Sequence, residues 1–224
     1  LISRVVPGDP ALLLAGEGAT KEDIQNLRQQ WGLDKPAYQQ YLIYLKNLSK
    51  GDLGKSIFTG RPVMHDLKLF FPATLELTVV SLFIAVVLGM LSGIVSARHK
   101  DKLVDHGSRL FSLVGISMPI FWLGLLLLIV VYYKFGLLFP GGRLSKNMSA
   151  PAGFTGLYVI DSLLSGNWAA LKDSILHLIL PSICLAMNAL GRISRMSRAS
   201  ILNIIHENYV RTAESKGLPK WVTN

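Results

Sequence analysis

The sequence has little charge and almost no cysteine. A single cysteine, Cys184, occurs in 224 residues, which excludes a disulfide within the chain and a thiolate metal cluster. Only 17% of the residues are charged whereas 50% are hydrophobic, a composition that departs from ordinary soluble domains in the membrane direction. We interpret Cys184 as a small packing residue of an apolar segment.

Patterns for enzymatic chemistry are also missing. The five histidines have no metal-ligand spacing, and the sequence contains neither a serine nucleophile elbow nor a phosphate-binding P-loop. The long apolar runs hold almost no ionisable side chains, which argues against a proton pump. We therefore expect no catalytic residue, no metal site and no cofactor in this chain, and hence no enzyme.

Three long apolar runs are the main feature of what is present. About 20 apolar residues are needed to cross the roughly 30 Å of membrane hydrocarbon, and the first two runs exceed this length. The third run contains His177 and Pro181, so a buried soluble helix is the alternative there. We expect Pro72 to open the first span. The predicted spans are about 73–97, 110–138 and 175–195.

The distribution of basic residues orients these spans. The chain has a net charge of +9, and its Lys and Arg residues flank the apolar runs rather than form a nucleic-acid-binding pattern. The short loop 98–109 holds four of them, whereas the longer loop 139–174 holds three. Because short cytoplasmic loops are enriched in Lys and Arg, we place 98–109 and the tail after 191 in the cytoplasm. Residues 1–72 then form an extracytoplasmic region, followed by the membrane domain 73–224.

The extracytoplasmic region carries signals for two helices. Thr20 and Asp23 have the spacing of a capping box, and Gly32 is placed to end that helix. Pro36 suits the start of a second helix, which Gly51 would end. Both helices are too charged to cross lipid.

The tail contains a polar, helical segment. Between Ser200 and Lys216 the apolar residues recur at helical spacing, Gly217 lies where a helix C-cap needs positive φ, and Pro219 prevents continuation. The pattern fits either a helix lying on lipid headgroups or a docking helix for a soluble partner.

The stretch RTAESKGLP, residues 211–219, resembles the conserved cytoplasmic loop of binding-protein-dependent ABC importer permeases. Arg211, Thr212 and Ala213 occupy the E-A-A positions of that loop, and Gly217 occupies the glycine. The first two depart from the motif in the manner usual for the dipeptide, oligopeptide and nickel branch. Other segments resemble the same branch: VPGDPA, WGLDKPAYQQYLIYL, GDLGKSI, RPV, PATLEL, SMPIFWLG and ILPSICLA.

This resemblance covers nearly the whole chain and implies an all-α, polytopic transmembrane helical bundle with the type I (MetI-like) ABC importer permease fold. It implies a B-type subunit in the bacterial inner membrane that forms half of a translocation pathway. The implied partners are a C-type permease, two cytoplasmic ATPase subunits that bind ATP and Mg²⁺, and an extracytoplasmic substrate-binding protein. Family members have one helix before the position of Leu1 and more after that of Asn224, so we expect truncation at both ends.

The resemblance also implies the site residues. A coupling helix is expected at about 200–217, and its contacts with the ATPase would come from Tyr209, Arg211, Thr212, Ala213, Glu214, Lys216, Gly217 and Leu218. Gating or kink points are expected inside the spans. These are Gly89, Gly93, Gly115, Met118, Pro119 and Pro181. The GxxxG spacing of Gly89 and Gly93 predicts close helix contact, for which the partner permease is one candidate.

The substrate stays open between two classes. The stretch GFTGLYVIDSLLSGNWAALKDSI resembles di- and oligopeptide members, which favours peptides, whereas ARHKDKL and SMPIFWL also resemble nickel members. A permease for nickel or a metal chelate is therefore the alternative. An alternative of another class is a channel or membrane scaffold with an interfacial tail helix. Substrate-contacting residues are unknown from the sequence.

Overall fold

The computed structural model describes residues 11, 19–30, 32–56, 59–139, 141–153, 155–205 and 207–217, without the side chains of residues 211, 213 and 214. These residues fall into two compact units, one up to Phe71 and the other from Pro72. Within the described ranges the chain is helical, and the only strand-like pairing is an isolated bridge between Lys55 and Pro62. The expected all-α class is confirmed.

The helices are numbered in chain order. They are α1 Lys21–Gln30, α2 Ala37–Leu48, α3 Val63–Arg98, α4 Leu103–Ser117, α5 Ile120–Leu127, α6 Tyr158–Leu164, α7 Trp168–Ile205 and α8 Asn208–Ser215, with a π-helical segment Leu128–Lys134 directly after α5.

The predicted capping box forms at the start of α1. The Asp23 backbone N–H donates to Thr20 Oγ1 at 3.2 Å, and the Thr20 backbone N–H donates to Asp23 Oδ2 at 3.0 Å. The Thr20 hydroxyl also donates to Asp23 Oδ2, and these bonds hold the pKa of Asp23 below its usual value. Gly32 has φ of +64°, the left-handed conformation expected of a residue that ends a helix.

Helix α3 begins earlier than the sequence suggested. Pro72 lies inside α3 rather than at its start. The additional turns are favoured because Asp66 lies in the first turn of the helix, where a carboxylate complements the helix dipole. The Asp66 carboxylate also accepts a 2.7 Å hydrogen bond from the Thr59 hydroxyl in the preceding loop.

Helices α3 and α7 are long and apolar enough to cross a membrane. They contain 36 and 38 residues, so at 1.5 Å per residue each is roughly 54–57 Å long, well beyond the hydrocarbon thickness. The predicted spans 73–97 and 175–195 lie inside them. Pro181 lies within α7, and the helix continues through it.

The segment predicted as the second span is not one helix. Helix α4 ends at Ser117, and α5 together with the π-helical segment continues at an angle of 109° to it. Met118 at the break is extended, with φ −78° and ψ 131°. Pro119 explains this, because a proline disfavours the helical conformation of the residue before it.

Small residues bring α3, α4 and α7 together. A Cβ on Gly93 of α3 would lie 2.7 Å from the Ser194 carbonyl oxygen of α7, and a Cβ on Gly191 would lie 2.6 Å from the Ser112 carbonyl oxygen of α4. Gly89 faces Ile193 of α7. The GxxxG pair of α3 therefore contacts α7 of the same chain, and the sequence had left a contact with a second permease open.

Candidate coupling site

Asp105, near the start of α4, is fully buried and lies at the centre of a polar cluster. Arg198 of α7 donates two parallel hydrogen bonds to its carboxylate, Nε to Oδ1 and Nη2 to Oδ2, both of 2.7 Å. The Ser96 hydroxyl of α3 donates to Oδ1 at 2.5 Å. One carboxylate thus binds side chains from both other long helices of the bundle.

The turn between α3 and α4 places Asp105 in this position. Asp101 has φ of +61°, a left-handed conformation that short polar residues tolerate. In this conformation its backbone N–H donates to Asp105 Oδ2 at 3.0 Å. The carboxylate is therefore fixed by its own turn before it meets α7.

The geometry of the cluster makes the bundle sensitive to the loss of either partner. Charge-assisted bidentate Arg–carboxylate pairs are the strong class of hydrogen bond. Removing one partner of a buried pair typically costs about 3–5 kcal/mol, since the other charge is left uncompensated. Asp105 and Arg198 therefore hold the ends of α4 and α7 in one arrangement.

A chain of serine hydroxyls continues the contact along the same helices. Ser92 of α3 is 2.8 Å from the Ser108 hydroxyl of α4 and 3.0 Å from the Ser194 hydroxyl of α7. The three helices are therefore linked at two successive levels next to the basic loop.

Helix α8 follows α7 after a short break. The sequence predicted one coupling helix over about 200–217, but residues up to Ile205 belong to α7 and α8 begins at Asn208. The Glu207 N–H donates to the Ile204 carbonyl at 3.0 Å, and the Val210 N–H donates to the Glu207 carbonyl at 3.1 Å. These turn bonds separate the two helices.

The predicted ATPase-contacting residues are distributed along α8 and its end. Tyr209 is 63% exposed, and Thr212 and Lys216 are also exposed, whereas Val210 is buried. Gly217 has φ of +81°. The side chains of Arg211, Ala213 and Glu214 and the whole of Leu218 lie outside the described residues.

The predicted kink points have different surroundings. Met118 and Pro119 form the bend between α4 and α5, whereas Gly115 packs against Met187 of α7. The glycines of α3 are closely packed as well, and the 109° break between two helices falls at 118–119.

The opposite end of the bundle holds a second polar cluster, which was not predicted from the sequence. Buried Glu76 of α3 accepts from Arg143 Nη2 at 2.8 Å and from the Val159 backbone N–H at 2.7 Å. The Arg143 guanidinium also donates to the Gly156 carbonyl at 2.7 Å and lies 3.6 Å from the ring centroid of Tyr158. The long loop before α6 is thereby fastened to α3.

Two further carboxylates order the same loop. Asp161 accepts from the Thr155 hydroxyl at 2.8 Å and from the Gly156 N–H at 2.9 Å. Asp173 accepts from the Ser145 N–H at 2.7 Å and from its hydroxyl at 2.8 Å. Within the described part of the chain, no group of three or more His, Cys, Asp or Glu side chains could hold a metal ion.

Comparison with known protein families shows the family to which this chain belongs. Residues 85–223 match the model of the binding-protein-dependent transport system inner membrane component, and residues 1–78 match the model of the N-terminal part of such membrane components. The chain belongs to this permease family. It is a multi-pass inner-membrane protein with the type I (MetI-like) importer permease fold, and its family consists of transport components rather than enzymes.

Curated relatives extend along nearly the whole permease chain. It is 45% identical over 221 residues to the "Probable D,D-dipeptide transport system permease protein DdpB" of Escherichia coli (strain K12), covering 99% of this chain and 65% of that protein. It is 41% identical to the "Di/tripeptide transport system permease protein DppB" of Pseudomonas aeruginosa (strain UCBPP-PA14), covering 96% and 64%. The chain thus spans about 65% of the length of these relatives.

Proposed function

We propose that this permease is one of two membrane subunits of a binding-protein-dependent ABC importer for di- or oligopeptides, and that α8 couples it to a cytoplasmic ATPase. Family membership supports the transport role and sets aside the channel or scaffold alternative. The observation that carries the coupling role is the position of α8. This short, largely exposed helix directly follows α7, whose Arg198 is fixed to α4 by Asp105.

The coupling follows from this connection. ATP and Mg²⁺ bind in the ATPase subunits, and closure of two such subunits displaces α8. Since α7 is a continuous helix from Trp168 to Ile205, a displacement at its basic end is passed along its length. Asp105 and Ser96 pass the same displacement to α4 and α3, so the three helices move together.

The remaining partners occupy the two sides of the membrane. The basic loop 98–109 and α8 face the cytoplasm under the positive-inside rule, and a C-type permease completes the pathway. The region 1–72 faces outward and docks the substrate-binding protein. The apolar stripe of α2 supports this role, because Tyr38 and Leu42 are 64% and 60% exposed and α2 has no buried residue.

Peptides are the preferred substrate class. The relatives described above carry dipeptide or di/tripeptide transport names, whereas nickel is named in none of them. The nickel or metal-chelate alternative is therefore not favoured.

Cysteine crosslinking tests the coupling role in the full-length permease purified with its partner subunits. Tyr209→Cys, at a 63% exposed position of α8, is expected to crosslink to the ATPase. Leu164→Cys, at a 77% exposed position of α6, is the matched control and is expected not to. Crosslinks from position 209 that reach lipid alone would refute the coupling role.

Uptake measurements test the substrate class. A strain that lacks its own permease is complemented with the full-length chain and its partners, and accumulation of a radiolabelled dipeptide is compared with that of nickel. Dipeptide uptake that depends on this chain is expected. Nickel uptake without dipeptide uptake would overturn the peptide assignment while leaving the coupling role intact.

A further inference from the structure

A cavity of about 220 Å³ opens beside the buried Asp105, among α3, α4 and α7. Three guanidinium groups line it, those of Arg109 on α4 and of Arg195 and Arg198 on α7. The Asp105–Arg198 pair does not need this cavity, because the two side chains bond each other directly. The role proposed above for that pair therefore leaves the cavity unexplained.

The charge of the cavity is unbalanced. Arg198 is paired with Asp105, and Arg109 Nε lies 3.7 Å from the same carboxylate. Arg195 is exposed, and its side chain forms no hydrogen bond or ion pair within the described part of the chain. Three guanidinium groups thus line the cavity, and the one carboxylate beside it pairs with Arg198 and lies near Arg109 only, which leaves an excess of positive charge at the opening.

The hydroxyl group of Ser112 provides the cavity with a hydrogen-bond donor. Ser112 is only 5% exposed and lines the cavity, yet its hydroxyl forms no hydrogen bond with any residue that the structure describes. The Ser112 hydroxyl is not one of the buried side-chain groups left without a partner, so it is accessible from the cavity. A phosphate oxygen in the cavity would accept from it and would also meet the guanidinium groups.

The rim of the cavity is apolar. Leu113 and Ala199 line it, and Leu113 is 61% exposed. Met196, on α7 next to Arg195, is 72% exposed. A polar floor with an apolar, exposed rim matches an amphiphile better than a free anion. Anionic lipids are also attracted to clustered Arg and Lys at the cytoplasmic surface.

We propose that this cavity binds the phosphodiester headgroup of an anionic phospholipid of the cytoplasmic leaflet. Arg195 and Arg109 bind the phosphate, the Ser112 hydroxyl donates to it, and an acyl chain extends along Leu113. The proposal requires a membrane protein with its basic end at the leaflet surface and does not depend on coupling by α8.

Lipid retention tests the proposal in the full-length permease purified with its partner subunits. After reconstitution with equal amounts of phosphatidylglycerol and phosphatidylcholine and re-extraction, native mass spectrometry counts the bound lipids. The wild type is expected to retain phosphatidylglycerol selectively. The double variant Arg109→Gln/Arg195→Gln is expected to lose that retention by about tenfold, as befits the loss of two charged contacts.

Matched controls separate this site from general attraction to lipid. Arg192→Gln changes another exposed arginine of α7, one that bonds Asn188 at 2.6 Å and does not line the cavity, and it should retain the lipid as the wild type does. Arg195→Gln alone should lower retention without disturbing the Asp105–Arg198 pair. Equal losses in the Arg192 and Arg195 variants would overturn the proposal.

Two further arms distinguish other occupants. Excess inorganic phosphate should not displace phosphatidylglycerol, and displacement would indicate a free-anion site instead. A photoreactive group attached at Ala199→Cys should label lipid. Labelling of the second permease instead would show that a subunit covers the cavity and would refute lipid binding.

Discussion

Gly217, which ends α8, has φ of +81°, and a Cβ at this position would meet no atom of the described residues within 4 Å. Glycine is therefore required at this position because of the positive φ and not because space is short. Gly93 and Gly191 are the opposite case, because helical backbone places them directly against carbonyl oxygens of another helix. The same residue type therefore serves two physical purposes, which call for different substitutions as tests.

Gly217→Val should impair the coupling end of the permease. A β-branched residue in the left-handed region costs about 1–2 kcal/mol or more, so the turn after α8 should change its path. We expect reduced substrate-stimulated ATPase activity and uptake in the reconstituted importer.

Gly217→Asn is the matched control, because asparagine tolerates positive φ. It should retain most of the activity. Normal coupling in the valine variant would contradict the proposed importance of this turn.

Gly93→Ala should destabilise the bundle. The added Cβ would lie 2.6 Å from Ser197 Cβ and 2.7 Å from the Ser194 carbonyl oxygen, so the helices must separate, at about 1–3 kcal/mol. Gly107→Ala on α4 is the control, because nothing lies within 4 Å there and alanine favours a helix by about 0.5–1 kcal/mol. Thermal unfolding of the purified full-length protein in detergent should place the two variants on opposite sides of the wild type.

At the scale of the elements, carboxylates fasten the long helices at both ends. Asp105 joins α4 to α3 and α7 near the basic loop, and Glu76 joins α3 to the loop before α6 at the other end. Close packing of small residues fills the interval between them. The bundle is thus fixed laterally at two levels, while the bend at Met118 and Pro119 interrupts the remaining span.

Asp105→Asn and Arg198→Gln should each destabilise the permease by about 3–5 kcal/mol, because each leaves a buried charge without its partner. The double variant should cost less than the sum of the two, with a coupling energy of about 0.5–3 kcal/mol. Unfolding in detergent measures all three. Arg192→Gln is the exposed control and should stay within about 0.5 kcal/mol of the wild type, and strict additivity would deny a direct interaction.

Glu76→Ala should loosen the loop before α6 without affecting the basic end. Arg143 and the Val159 N–H would lose their shared acceptor, so amide hydrogen exchange should accelerate over residues 141–159. Exchange in the 99–109 segment should stay unchanged. Acceleration in both segments would indicate global destabilisation instead.

At the scale of the whole molecule, the two compact units suit different surroundings. The unit from Pro72 carries the apolar helices, whereas the unit up to Phe71 includes the polar helix α1 and the exposed face of α2. The exposed, apolar face of α2 is consistent with the docking role proposed for the unit up to Phe71.

Deletion of 20–32 from the full-length permease should weaken its affinity for the substrate-binding protein while leaving ATPase assembly intact. Surface plasmon resonance on the reconstituted complex measures the affinity. Thr20→Ala, which removes the cap but keeps the surface, is the milder variant and should have a smaller effect. Unchanged affinity after the deletion would rule out docking at α1.

Features that depend on near neighbours along the chain could be predicted from the sequence. The capping box of Thr20 and Asp23, the glycine stops, the apolar runs and the family all follow from patterns of local spacing. The predicted start of α3 was wrong, because Pro72 lies inside the helix rather than at its first turn. The predicted coupling helix wrongly included 200–205, because the helical periodicity of the sequence continues across the break between α7 and α8.

The pairs of distant side chains that meet could not be predicted from the sequence, because they depend on how the helices pack. Asp105 and Arg198 are 93 residues apart, and Glu76 and Arg143 are 67 apart. Such pairing depends on how each helix is rotated and how closely it packs. That arrangement is set by contacts such as Gly93 against Ser194, which leave no periodic signature in either segment. For the same reason the sequence did not predict that Gly89 and Gly93 pack against α7 of the same chain. Nor did it predict the cavity lined by arginines.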